Sequence, residues 1–335
     1  MGDQHAANDD PDELLGERLA AGIFRTMTWA ISRPILRAGV PVERQRMWLA
    51  RIGRITRAPR GVEYGDATRG GVAGESAIAI GMPSAKRVVL YLHGGGYCVG
   101  SPAASRAITG NLAILCAATV FAADYRLAPD HPFPAAVDDA AAAYRGLLDE
   151  GFEPGATVIA GDSAGGGLAV ATALRLRELG LPQPAALVLF SPWVDLGLLT
   201  LGPSPPGEVV ITKGWLRACA NHYLAGHPAD DPLASPIGAD LRGLPPTLIQ
   251  MGEAELLLSD ARRLDAALSA AGVAVELQEF PRRWHVFQQN AGVLADADRA
   301  LDAVAAFVGS CVDGANGTLL GPDLPGPGDR MHVCP

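Results

Sequence analysis

Gly161-Asp162-Ser163-Ala164-Gly165 sets one serine between glycines at the spacing G-x-S-x-G. The residues before it, Thr157-Val158-Ile159-Ala160, are apolar and β-branched, the profile of a buried strand. After it come Gly166, Gly167 and the run Leu168 to Leu174, small and apolar residues that suit a helix packed on a sheet. Strand, tight turn and helix make G-x-S-x-G a nucleophile elbow, in which the turn throws the serine hydroxyl clear of the sheet. Gly161 and Gly165 leave room for such a turn because they carry no Cβ. Read this way, Ser163 is a nucleophile for acyl transfer. The plainer alternative is a glycine-rich turn with an incidental serine.

A second stretch decides between them. Arg87 to Leu92 reads as another buried strand and runs into His93-Gly94-Gly95-Gly96. Three glycines after a strand expose backbone N–H groups that can bind a developing oxyanion. These two motifs, with Tyr125-Arg126-Leu127-Ala128-Pro129, Phe133 to Asp139, Asp231 to Pro236 and His285-Val286-Phe287, resemble the hormone-sensitive-lipase family of α/β-hydrolase esterases over about residues 40–312. The resemblance implies an α/β-hydrolase fold: a mainly parallel central sheet, helices on both faces and a helical cap. It implies a serine carboxylic-ester hydrolase that works through an acyl-enzyme on a small-molecule ester, either of short to medium acyl length or from a natural product. No cofactor and no metal are expected. Lyases, dehydratases and cyclising acyl transferases on the same scaffold are the rival reading. A non-catalytic small-molecule receptor is a remoter one, since receptors resembling this fold lack the histidine. Relatives often dimerise, so a homodimer is compatible with the resemblance.

In α/β-hydrolases the catalytic order is Ser, then Asp or Glu, then His. Of seven histidines, His5 and His332 lie in tails, His93 and His131 precede the serine, and His222 and His227 fall in the cap stretch. His285 alone follows the last expected strand, and it is the expected base. The acid belongs after the strand that ends at Met251-Gly252, where Glu253, Glu255 and Asp260 are candidates. The resemblance favours Glu255, because the family places an acid three residues after this glycine. That acid is usually Asp, so a Glu there reaches one methylene further. The resemblance also sets the oxyanion donors on Gly95, Gly96 and Ala164, with Gly94 shaping the loop and His93 bracing it. Tyr97 is expected to line the acyl pocket. Asp138 and Asp139 read as helix surface that pairs with Arg126, and Asp231 as the holder of a loop. Arg282 and Arg283 replace the family's usual Gly and apolar residue; they read as a solvated loop, with an anionic substrate as the sharper alternative.

The elements that carry these groups follow in order. Asp10-Pro11-Asp12-Glu13 starts a helix. Leu15, Leu19, Ile23, Met27 and Ile31 recur at fourfold spacing and form an apolar stripe that needs cover. The reading sets it over the cleft as a cap, with a membrane-surface helix as the rival. Residues 1–60 form the N-terminal cap segment, 61–312 the hydrolase core with a cap insertion at about 196–225, and 313–335 a flexible tail. Alternating strands and helices imply the parallel sheet.

The composition is that of one large core, with 49% hydrophobic and 19% charged residues in 335. A net charge of −9 argues against general affinity for nucleic acid or acidic membrane. The five cysteines fit no metal spacing, and Cys98 and Cys116 read as core residues. No apolar run is long enough for a span, and no basic-then-apolar leader opens the chain. A reduced, cytoplasmic setting without stable membrane insertion is the expectation.

Overall fold

The computed structural model describes residues 11–53, 58–82 and 86–316. The first ten residues and the expected flexible tail beyond 316 lie outside the described residues. Two helices come first, α1 (Pro11–Ile35) and α2 (Val42–Gly53). A hairpin follows, β1 (Val62–Arg69) and β2 (Val72–Ala79), turned by Gly70 and Gly71, both at positive φ. The rest alternates: β3 (Arg87–Leu92), α3 (Arg106–Leu115), β4 (Ala118–Ala123), α4 (Ala135–Asp149), β5 (Thr157–Asp162) and α5 (Ala164–Glu178). Then come β6 (Ala186–Phe190), α6 (Lys213–Leu224), β7 (Thr247–Gly252), α7 (Leu258–Ala270), β8 (Val275–Phe280) and α8 (Ala295–Asn316).

The eight strands form one sheet in the order β1-β2-β4-β3-β5-β6-β7-β8. β2 pairs antiparallel with β1 and β4, and all other pairs are parallel. Both faces are covered, so inner strands read as continuous apolar runs rather than alternating ones. On β3, Val88, Leu90 and Leu92 join one core with Tyr144 of α4, Leu168 of α5 and Leu264 of α7. Val89 and Tyr91 join the other with Ile108 of α3 and Leu301 and Val304 of α8. β5 sits at the centre of the sheet, and every residue of it is buried. Ser163 therefore follows directly on the end of a fully buried strand.

The expected strands are present within a few residues of their sequence positions. β1 escaped notice: it is an edge strand with a half-exposed, largely polar face, and its hydrophobic signal is correspondingly weak. The N-terminal stripe is a correction. Leu19, Ile23 and Met27 face solvent, Ile31 is partly exposed but borders the pocket that holds Ser163, and Leu15 falls where side chains are not described. The face of α1 that turns inward carries Ala21, Phe24, Thr28 and Ser32. Ala21, Thr28 and Ser32 are small and let the helix approach the core closely, with Phe24 reaching into the pocket, so burial follows fit rather than hydrophobicity alone. Cys98 and Cys116 are buried, as is Cys219. Asp139 makes a fork of hydrogen bonds to Arg126, whereas Asp138 sits near Arg175 on the next helix.

Candidate active site

Ser163 occupies the turn between β5 and α5 at φ 54, ψ −120. A side chain pays a steric cost in that region, and surrounding contacts must enforce it. They do so through backbone. Ser163 N donates to Phe190 O on β6 at 2.8 Å, and Trp193 N donates to Ser163 O at 2.9 Å. A Cβ on Gly165 would collide with the carbonyl of Leu92, and one on Gly161 with the carbonyl of Gly165. The two glycines of the pentapeptide are thus required by close backbone approach.

His285 follows β8 on the loop that crosses back over the strand ends. Its Nε2 lies 2.9 Å from Ser163 Oγ and its Nδ1 lies 2.8 Å from Glu255 Oε2. The carboxylate accepts a hydrogen bond from Nδ1–H and so holds the proton on Nδ1, which leaves Nε2 bare to accept from the serine hydroxyl. Glu255 is held in turn: Oε1 accepts from Gly252 N at 2.5 Å and from Ser191 Oγ at 2.7 Å. Ser191 also accepts from Val286 N at 3.1 Å, so one hydroxyl fixes both the acid and the histidine loop. Burial of the imidazole opposes its protonation, but the hydrogen bond and charge of Glu255, with Glu208 and Asp162 further off, outweigh it. The histidine pKa is raised in consequence.

The other acids fall elsewhere. Glu253 is exposed. Asp260 is buried on α7, bonded to Thr200 Oγ1 at 2.7 Å and 3.6 Å from Arg263. Burial pushes its carboxyl up to about 6, against the opposing Thr200 hydrogen bond. Asp231 accepts from Leu233 N and pairs with His227, the bonds of a loop holder.

On the side of the glycine loop, Gly94 and Gly95 line the cavity and Gly96 is buried behind them, close to Cys219 and Trp215. Gly95 and Gly96 have φ 120 and 60. Gly94 spends its N–H on Asp162 Oδ1 at 2.9 Å, which makes it a brace rather than a donor. Asp162 also accepts from Tyr91 Oη at 2.6 Å and so ties the elbow to the glycine loop. His93 bonds Gly94 O through Nδ1 at 2.8 Å and stacks on Tyr125 at 4.4 Å. The chain thus braces the loop from both sides.

A cavity of about 450 Å³ opens above Ser163, within the range of small-molecule sites. Phe24 and Thr28 of α1 and Leu49 of α2 form one wall, and Ile211 and Trp215 from the stretch before β7 form another. Tyr97 is not among its lining residues. Its ring stacks on Tyr223 at 3.9 Å and tilts against Trp193 at 6.1 Å, within the core. Its backbone, at φ 60, continues the left-handed run of the glycine loop, and this sends the side chain inward.

Three further residues carry the site without an obvious sequence signal: Asp162, Ser191 and Glu208. Glu208 is buried in the irregular stretch before α6. Its Oε1 accepts from Val210 N and Ile211 N, and its Oε2 from Leu256 N beside Glu255. Only Asp162 had a clue, as the variable position of the pentapeptide. The other two act across long sequence separations.

A family model for the alpha/beta hydrolase fold matches residues 89–289. An esterase of the bacterial hormone-sensitive lipase family has a crystal structure that superposes with TM-score 0.78 at 34% identity, covering 89% of this chain and 98% of that one. The chain belongs to the hormone-sensitive-lipase family of α/β-hydrolase enzymes. This member aligns similarly with the EstE5 crystal soaked with p-nitrophenyl butyrate, at TM-score 0.82 and 35% identity over 88% of this chain and 99% of that one. An acetyl-hydrolase of Streptomyces hygroscopicus is 46% identical over 66% of this chain and 75% of its own length. The family's usual Asp is Glu255 here, and the hydrogen-bonded chain from Glu255 to Ser163 closes nonetheless.

Proposed function

We propose that this enzyme is a serine carboxylic-ester hydrolase that passes through an acyl-enzyme. The observation that carries the reading is the line Ser163, His285, Glu255 at hydrogen-bond spacing, with Ser163 and His285 on the floor of the cavity and Glu255 buried behind them. Ser163 Oγ attacks the ester carbonyl while His285 Nε2 takes its proton. Glu255 holds the ring and stabilises the imidazolium that forms. The carbonyl oxygen gathers negative charge and turns to the N–H groups of Gly95, Gly96 and Ala164. His285 then gives its proton to the leaving alcohol, and water, activated by the same histidine, cleaves the acyl-enzyme. The mainly apolar walls suit a short- to medium-chain acyl group or a compact natural-product ester. The names of the relatives, esterase and acetyl-hydrolase, point the same way.

A panel of p-nitrophenyl esters of increasing acyl length tests the reading, run in ¹⁸O-labelled water. Hydrolysis places label in the acid product. Turnover of a natural substrate without label, with simple esters left untouched, would identify a lyase or a cyclase instead.

The wall built by α1 gives a second test. Thr28 lines the cavity and is half-buried, so Thr28→Trp fills space that only longer acyl chains reach. The expected result is a fall in kcat/KM for octanoate by about 10-fold or more, with acetate little changed, since pocket fit of a few methylenes is worth that much. Equal losses across the panel would place the acyl chain elsewhere.

A further inference from the structure

α1 closes the cavity with one face and leaves the opposite face without a partner among the described residues. Leu19, Ile23 and Met27 are 62%, 59% and 50% exposed, and Trp29 of the same helix and Met47 and Trp48 of α2 are exposed as well. Large apolar side chains gathered on one side mark an interaction surface. Arg18 and Arg25 run along one flank of this stripe, and Arg282, on the loop before His285, stands across from them. None of these three has a carboxylate partner among the described residues.

Together with Arg283 they line a cavity of about 240 Å³ floored by Ala21, Gly22 and Trp284. Arg283 is buried and pairs through Nη2 with Asp296 and Glu17. Its Nε has no hydrogen-bond partner. Arg283 is therefore neither the solvated residue nor the substrate contact that its position suggested: it ties α1 and α8 to the histidine loop. Arg282 remains exposed, at φ 60. The chain as a whole carries −9, so this arginine group is a local reversal of sign. It sits at the edge of the apolar stripe, in a cavity separate from the ester cavity, and Trp284 lines both.

We propose that α1 and α2 dock the enzyme on an anionic lipid surface. The arginine-lined cavity takes a headgroup phosphate, for which planar guanidiniums offer paired donors. Leu19, Ile23 and Met27 enter the boundary between headgroups and acyl chains. Apolar contact with cationic flanks is the pattern of a helix lying in the interface plane. Among the described residues no helix is long and apolar enough to cross a membrane, so the attachment is to one leaflet. The negative remainder of the protein is repelled from the same surface and so fixes which side approaches.

Flotation of the full chain with vesicles tests this. Phosphatidylcholine vesicles containing phosphatidylglycerol should carry the protein up, pure phosphatidylcholine vesicles should not, and added salt should release it. Arg18→Gln with Arg25→Gln should weaken binding by roughly 30-fold, at about fivefold for each arginine. Leu19→Ser with Ile23→Ser should also release the protein. Both pairs should keep parental turnover of p-nitrophenyl acetate, so a failure to float with esterase activity intact overturns the docking and leaves the hydrolase reading standing. Equal binding to both vesicle types, or binding indifferent to the arginines, overturns it too. So does calorimetric binding of inorganic phosphate without flotation, which would make this a free-anion site. A concentration-dependent dimer in light scattering that Ile23→Ser makes monomeric would assign the stripe to a second copy and likewise overturn the proposal.

Discussion

Ser163→Ala is expected to lower turnover of a p-nitrophenyl ester by ~10⁵–10⁶-fold while leaving the fold intact. The size follows from what the hydroxyl does. Among the described residues Ser163 is the one hydroxyl hydrogen-bonded to His285 Nε2, at 2.9 Å, so its loss removes the covalent route and leaves only oxyanion stabilisation and binding. The substitution removes one oxygen from a buried site whose backbone is held by Phe190 and Trp193, so thermal stability should change little. An organophosphonate should label the parent at Ser163 and leave the variant unlabelled. His285→Ala should slow labelling by a similar route, since the serine then lacks its base. A Ser163→Ala variant as active as the parent would remove the nucleophile assignment altogether.

Glu255→Gln carries the second large effect, a fall in kcat of about 10⁴. Gln keeps the shape but loses the charge that faces the imidazolium, and its amide can turn a donor toward Nδ1 and select the wrong tautomer. The pH profile adds a signature that damage to the fold would not give. The neutral histidine is the active base, so kcat/KM falls as pH drops through the His285 pKa of the free enzyme. That pKa is raised: burial works against protonation, and the hydrogen bond and charge of Glu255 win. In the parent the acid limb should therefore lie above the ordinary histidine range. In Glu255→Gln burial is left largely unopposed, and the limb should move to lower pH. Asp260→Asn should do neither, because Asp260 bonds Thr200 rather than the histidine. If Asp260→Asn proves the damaging change, the acid is misassigned.

Glu208 bears on the same profile. Its carboxyl holds Leu256 N, one residue past Glu255, and its charge adds to the field at His285. Burial pushes its own pKa up, offset by His285 and by the backbone N–H groups it accepts from. Glu208 and Asp162 thus add to the effect of Glu255 in holding the His285 pKa up against burial.

Local pattern carried much of this molecule. An apolar strand, a G-x-S-x-G turn and a small-residue helix can pack in few ways, so Ser163 was legible from one short stretch. His285 was legible from chain order, because parallel strands with crossover helices bring their C-terminal ends to one edge, and a loop after the last strand starts at that edge. Glu255 needed the family resemblance, since Glu253, Glu255 and Asp260 all follow the same strand. Only the tertiary structure shows which carboxylate turns inward to Gly252 N and Ser191. The same limit explains Tyr97, whose neighbours in sequence line the cavity while its own ring packs on Tyr223, and the reversal of α1. Periodicity states that a helix has an apolar stripe; what the stripe meets depends on the shape of the surface beneath. Here Ala21, Thr28 and Ser32 fit that surface, and the larger Leu19, Ile23 and Met27 are left outside. Types and order of residues determined the chemistry of this protein. Close packing between segments far apart in sequence decided which acid serves it, which side chains wall the cavity and which face the protein presents outward.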